Sequence, residues 1–344
     1  MDNIYLTKLL FAVTIFAITL GIAAYSTYFE RKFASFFQDR IGPNRAGLFG
    51  ILQPLADGGK LFFKEEFIPA SANKFLFILG PSITMLTALM SSAVIPWGLP
   101  FFTGEKQIDL QLVDLNVGVL YVFAIVSVGV YGIMIGGWAS NNKFSLLGAV
   151  RASSQMISYE LAMGLSVISV IMLTGSMSLK DITMAQSGFM WHFWQQPLAC
   201  LVFIICAFAE CNRTPFDLPE SESELIGGYH TEYSSMKMGL YLFGEYVNMF
   251  ISSTMITVLF FGGFSYPGME IVAAQNPNLA SLLSVLAMFT KVFFFIFLFM
   301  WIRWTLPRFR YDQLMNLGWK TLLPLSIVNI IITGIVILIK QHYF

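Results

Sequence analysis

Eight apolar runs divide this chain, and they decide its class before any motif is considered. They lie at roughly 6–29, 75–97, 117–139, 156–176, 192–210, 238–263, 280–302 and 321–340. Each has about 18 residues or more, the length a helix needs to cross a hydrocarbon layer of about 30 Å. Runs of that length are too long for strands, and the connections between them leave no room for a soluble domain. The predicted fold class is therefore an all-α integral membrane protein, one polytopic domain over residues 1–344. The charged fraction agrees: 12 %, against about 25 % in a soluble domain, too little to solvate a globule. The first run is not preceded by a basic stretch or followed by a small-residue cleavage site, so it reads as a retained helix rather than a signal peptide.

Lys and Arg set the expected orientation. The loop 30–74 carries Arg31, Lys32, Arg40, Arg45, Lys60, Lys64 and Lys74. Loop 140–155 has Lys143 and Arg151, loop 211–237 has Arg213 and Lys237, and loop 303–320 has Arg303, Arg308, Arg310 and Lys320. The alternate connections hold only Lys106 and Lys180. The four basic loops are expected on the cytoplasmic side and both termini on the outer side. Within the first of these loops, Ile51, Leu52, Leu55, Phe62 and Phe63 follow helical spacing, and Asp57, Lys60 and Lys64 take the other face. Pro54 suits a first turn, Pro69 ends the segment, and its length is too short to span. An amphipathic helix lying in the interface is expected there.

A charge near the bilayer centre costs about 2.5–3.5 kcal/mol on insertion scales, so charges inside the runs need a reason. Glu160, Glu245 and Lys291 are such charges, and Glu210 ends the fifth run. The topology puts the three carboxylates, from three helices, in one half of the membrane. Isolated ion pairs or snorkelling ends account for any one of them; as a set they read better as the lining of an ion or proton path. Just beyond lies the stretch Glu210–Glu224, where Glu210, Asp217, Glu220, Glu222 and Glu224 surround Arg213. Carboxylates this close raise one another's pKa and titrate as a unit. Helix capping by Ser221 with Glu224, and by Thr214 with Pro215, accounts for Glu224. It does not account for Asp217, Glu220 and Glu222 together.

The first and last basic loops mix Arg with acids and aromatics: Glu30-Arg31-Lys32, Ile41-Gly42-Pro43-Asn44-Arg45, Trp301-Ile302-Arg303 and Pro307-Arg308-Phe309-Arg310-Tyr311-Asp312. Ordinary positive-inside anchoring explains a single Arg. The mixture suits docking to another protein, or the entry of an amphipathic ligand. Cys200, Cys206 and Cys211 have no ligand spacing and read as buried apolar residues, and His192, His230 and His342 are scattered, so no metal site is expected. No nucleotide loop or nucleophile elbow appears. Twenty basic residues balance 20 acidic ones, so a nucleic-acid partner is not expected.

Several of these stretches resemble a known family from end to end. They are Glu30-Arg31-Lys32, Gly42-Pro43-Asn44, Gln53-Pro54-Leu55-Ala56-Asp57-Gly58-Gly59-Lys60-Leu61, Ser158-Tyr159-Glu160, Asn212 to Glu220, Glu222-Ser223-Glu224-Leu225, Glu232-Tyr233, Glu245-Tyr246 and Pro307 to Leu314. The chain is similar to the H-subunit family of bacterial respiratory complex I, homologous to mitochondrial NADH dehydrogenase subunit 1. The resemblance implies a membrane subunit, without redox centres of its own, of a proton-pumping NADH:quinone oxidoreductase in a bacterial inner membrane, both termini periplasmic. It implies a quinone, ubiquinone or menaquinone, as substrate. Partners would be the hydrophilic subunits of the quinone site and neighbouring small membrane subunits, with flavin and iron–sulfur clusters in the partners. It implies that Arg31, Arg40, Asp57, Phe63 and Arg303 line the quinone chamber. Glu160, Glu210, Asp217, Glu220, Glu222, Glu224 and Glu245 would couple to protons. Glu30, Arg213, Glu232, Tyr246, Lys291, Arg308, Arg310 and Asp312 would support them. Three other readings remain open: a homologous anchor of a hydrogenase or ferredoxin-linked complex, a free-standing secondary transporter, and a passive anchor whose acids only dock partners. The absence of visible internal repeats disfavours the transporter.

Overall fold

The computed structural model describes residues 2–103, 106–219 and 225–343. Glu220, Glu222 and Glu224, three of the expected proton-coupling carboxylates, lie outside the described residues.

Helix α1 (Asp2–Phe37) is 36 residues long. It continues two turns past the expected end near residue 29, because no Gly or Pro interrupts the chain before Gly42. That extension makes Glu30 a helix residue. The expected interfacial helix is α2 (Gln53–Phe63), with Pro54 in its first turn and no buried residue. Helix α3 (Lys74–Ser91) is capped by Asn73, whose side chain accepts from the Phe75 and Leu76 amides. A hairpin, β1 (Phe101–Thr103) against β2 (Lys106–Ile108), follows. Next come α4 (Gly118–Ala139) and α5 (Lys143–Thr174). Helix α5 begins 13 residues ahead of the expected 156: Asn142 caps it, and Gly148, Ala149, Ala152 and Gln155 give this early part a packing face.

Two short helices, α6 (Leu179–Met184) and α7 (His192–Gln195), precede α8 (Pro197–Glu210). Helices α9 (Ser235–Phe260), α10 (Met269–Gln275), α11 (Pro277–Thr305), α12 (Tyr311–Asn316) and α13 (Leu323–Tyr343) complete the chain, α12 and α13 being joined by a π-helical turn, Leu317–Leu322. Among the described residues, seven helical stretches are long and apolar enough to cross a membrane. This is a multi-pass, all-α membrane protein.

The fifth apolar run, 192–210, forms a shorter helix. Pro197 sits in the first turn of α8, and its 14 residues reach only about 21 Å. The remaining depth is filled by an irregular buried stretch around Thr183, Gln186 and His192. Lipid cannot satisfy irregular backbone, so such a segment survives only inside protein. Here side chains supply the bonds. Gln186 Nε2 donates to the Ile182 and Val258 carbonyls at 3.0 and 2.9 Å, and its Oε1 accepts from the Gly262 and His192 amides. Lys291 on α11 donates to the carbonyls of Phe261, Gly263 and Ser265 at 2.8, 2.9 and 2.6 Å. It thereby satisfies the chain leaving α9.

Helices α3 and α4 approach closely because Gly80 faces Gly132 and Gly136. A Cβ on Gly80 would lie 2.9 Å from Gly136 Cα, and one on Gly136 would overlap the Tyr241 hydroxyl. Small residues are the usual means of close helix contact in a bilayer. Gly136→Ala is therefore expected to destabilise the bundle by about 1–3 kcal/mol, seen as a lower thermal midpoint and less assembled protein in membranes.

Candidate functional site

Glu30 is the hub of the site. It is 5 % exposed and is reached from three other parts of the chain. Arg213 Nη1 donates to its Oε2 at 2.7 Å, and Tyr246 Oη donates to the same oxygen at 2.9 Å. Arg303 Nη1 pairs with its Oε1 at 2.5 Å. The Arg213 guanidinium also lies over the Tyr246 ring, 4.1 Å from its centroid. Burial alone would pull the Arg213 pKa down. The negative charges of Glu30 and Glu245 outweigh it, so Arg213 stays protonated. Two guanidinium cations are thus balanced by two carboxylates, Glu30 and Glu245. Glu245 also accepts from Tyr229 Oη at 2.9 Å. Taking ions out of water is costly unless they are paired, and here α1, α11 and the loop after α8 pair Glu30 with both guanidiniums, while Tyr246 of α9 adds a hydrogen bond.

Aromatics stand next to the hub along α1 and α11. Tyr25, Phe29 and Phe33 of α1 face Phe293 and Phe297 of α11 across a slot of about 460 Å³. Phe29 immediately precedes Glu30, and Met300, also in the slot wall, lies one helical turn before Arg303. Within the cluster, the side chain of Arg303 is the accessible cation: it is 28 % exposed, against 4 % for Arg213.

The acidic loop is held by the last basic loop. Asp217 is buried and bonded to Arg308 Nη2 at 2.8 Å. Beside them, the Phe309 amide donates to the Pro215 carbonyl at 3.1 Å, and its ring packs on Phe216. Gln155 of α5 ties the same loop to the end of α8: its Nε2 donates to the Ala209 and Phe216 carbonyls, each at 2.8 Å. Glu210, at that helix end, is 4 % exposed, and its Oε2 has no hydrogen-bond partner among the described residues. Its neighbour Cys211 donates its thiol hydrogen to Ser252 Oγ at 3.3 Å. Burial pushes that thiol up to about 12, so it remains a donor at neutral pH. Glu160 on α5 accepts from the Ser127 hydroxyl on α4 and borders an apolar groove with Leu161 and Gly164.

Other expected residues take separate places. Arg31 pairs with Asp57 of α2 at 2.6 Å, and Gln53 and Lys60 also reach Asp57. Arg40 is exposed and bonded to Gln38, and Phe63 is 87 % exposed; neither joins the Glu30 cluster. Arg310 and Asp312 form a 3.7 Å surface pair of little energetic weight. Glu232 accepts from Asn142 Nδ2 at 2.6 Å, at the α4–α5 corner. Lys291 stands apart from the carboxylates: its partners are at the C-terminal end of α9, whereas Glu245 is near the N-terminal end. Among the described residues, no group of three His, Cys, Asp or Glu side chains is placed to hold a metal ion.

Sequence reading missed Tyr229, Gln155, Ser127 and Ser252, each a neutral polar side chain touching or facing an expected carboxylate or its loop. Ser127 also bonds its own helix carbonyl at Phe123, as most intramembrane Ser and Thr do, so position alone carried no signal.

The fold and this cluster define a polytopic membrane protein built to keep ionised groups paired inside the bundle. Residues 10–334 match the family described as NADH dehydrogenase. The H subunit of the NADH-quinone oxidoreductase of Flavobacterium johnsoniae is 65 % identical over 327 residues, 95 % of this chain and 93 % of that one. In Cytophaga hutchinsonii, a protein named as the first H subunit of an NADH-quinone oxidoreductase is 63 % identical over 334 residues, 97 % of each chain. In Geobacter metallireducens, a protein named as the second H subunit of such an oxidoreductase is 48 % identical over 344 residues, 97 % of this chain and 96 % of that one. The chain belongs to the NADH dehydrogenase family.

Proposed function

We propose that this chain forms the membrane wall of the quinone chamber in an NADH:quinone oxidoreductase and passes the charge made there to its buried carboxylates. The observation that supports this most is the Glu30–Arg213–Arg303–Tyr246 cluster, whose Glu30 and Arg303 follow within a turn the residues of an aromatic slot on α1 and α11. A quinone is a flat ring with two acceptor oxygens on an apolar tail. Aromatic walls suit the ring and tail, and the accessible guanidinium of Arg303 suits an oxygen. Arg31, Arg40, Asp57 and Phe63, on and beside α2, would border the same chamber from the interface. Reduction to quinol takes two electrons and two protons, the electrons arriving from flavin and iron–sulfur clusters of partner subunits. The proton demand falls on Asp217, Glu220, Glu222 and Glu224, and then on Glu245, Glu210 and Glu160. The basic loops face the cytoplasm and the termini the periplasm of a bacterial inner membrane. Arg303→Ala is expected to lower quinone turnover roughly ten- to hundredfold, the weight of one charged hydrogen bond. Electron transfer from NADH to an artificial acceptor in the hydrophilic arm should not change. Equal loss of both activities would instead make Arg303 an assembly residue.

A further inference from the structure

Glu210 presents an unusual problem. Its carboxyl group is enclosed by protein and has no hydrogen-bond partner among the described residues, its Oε2 being fully covered. A buried carboxyl left unpaired is costly in either protonation state, since the acid needs an acceptor and the anion needs donors. Beside it is a cavity of about 30 Å³, whose wall includes Glu210, Ser252, Val126, Met163, Phe203 and Met255. That space fits a single water, which needs about 10–15 Å³ and at least two polar partners. Only Glu210 and Ser252 among the lining residues have polar side chains. Ser252 Oγ is already an acceptor, from the Cys211 thiol at 3.3 Å, and its own hydrogen is free to donate.

We propose that one ordered water occupies this cavity and bridges Ser252 to Glu210, making Ser252 a positioning residue for that carboxylate. The bonds run in one direction: Cys211 S–H to Ser252 Oγ, Ser252 O–H to the water oxygen, water O–H to the Glu210 carboxylate. Each donor is polarised by the bond before it, which strengthens the chain. When Glu210 takes up a proton, the acid's hydrogen points to the water, the water donates to Ser252 Oγ, the Ser252 hydroxyl turns to the Cys211 sulfur, and the thiol hydrogen turns away. Ser252 lies seven residues beyond Glu245 on α9, so both are on one helix face, two turns apart. Phe123 lines both this cavity and the groove beside Glu160. Two half-buried carboxylates thus neighbour the cavity, Glu245 along the same helix face and Glu160 across the groove that shares Phe123. This rests on the coupling role proposed above, but the water itself does not require it.

The test uses the purified whole complex. A cryo-electron microscopy map that resolves waters should show one peak within hydrogen-bonding distance of both Glu210 and Ser252. Ser252→Ala should remove it and lower coupled quinone reductase activity about fivefold, the rate equivalent of one neutral hydrogen bond. Ser252→Thr, which keeps the hydroxyl, should restore both. Artificial-acceptor activity should be unchanged throughout. An empty cavity in the wild type, a peak with the oxygen shell of a metal cation, or full activity in Ser252→Ala would overturn the proposal. A water present in the map while Glu210→Gln pumps normally would support the water site and sink the coupling reading instead.

Discussion

Glu30→Ala should be the most damaging single substitution to the folded chain. Glu30 is the shared acceptor for Arg213, Arg303 and Tyr246. Its removal leaves the Arg213 guanidinium, 4 % exposed, without its strongest partner. Breaking a buried pair by deleting one member costs about 3–5 kcal/mol, because the surviving ion remains buried and uncompensated. That is a large share of the stability of any domain. The expected result is little or no assembled complex in membranes, with loss of quinone reductase activity as a consequence. Glu30→Gln keeps the shape and some of the bonds, so it should assemble better than Glu30→Ala yet remain less stable than wild type. Full assembly and a wild-type thermal midpoint in Glu30→Ala would show that water or a partner protein, not Glu30, neutralises Arg213.

Glu210→Gln is expected to separate assembly from coupling. The amide has the size of the carboxyl, and among the described residues Glu210 makes no ion pair that would be broken. The variant should therefore fold and assemble. What it lacks is a proton site. A positioned acid–base group is worth roughly 100-fold or more, so coupled quinone reductase activity should fall by about that factor. Transfer to an artificial acceptor in the hydrophilic arm should persist. Proton pumping at the wild-type ratio to electron flow would remove Glu210 from the coupling path. Glu160→Gln provides the contrast with a passive anchor, in which acids serve only for docking: that reading requires the variant to be silent.

The helical class was legible because hydrophobic runs of bilayer length have few alternative explanations. The amphipathic helix α2 was legible from its two-faced spacing. Two features were not. Glu30 read as a loop residue, since sequence placed the end of the first span at the membrane edge, while the helix runs on through Phe37. Its role as hub depends on residues as far along the chain as Arg303, and no local pattern encodes such a meeting. The fifth span, 192–210, read as a full crossing because its apolar run is long enough. Pro197 and the buried segment before it divide that run into a short helix and irregular chain. Lys291 was expected as a charge inside a span that supports the carboxylate set. Three backbone carbonyls claim all its donors instead. A charge in an apolar run announces that it has a partner; it does not say whether that partner is an acid or a peptide group.

The three carbonyls around Lys291 also limit what evolution can place there. They converge on one ammonium, which offers three hydrogens in a pyramid from a single nitrogen. A guanidinium offers a flat fork and is bulkier, so it cannot meet three carbonyls gathered about a point. Arginine, lysine's nearest chemical relative, is therefore a poor substitute at position 291, while a neutral residue would strand the carbonyls. The protein has turned a place where charge sign is usually the concern into one where the shape of the cation decides.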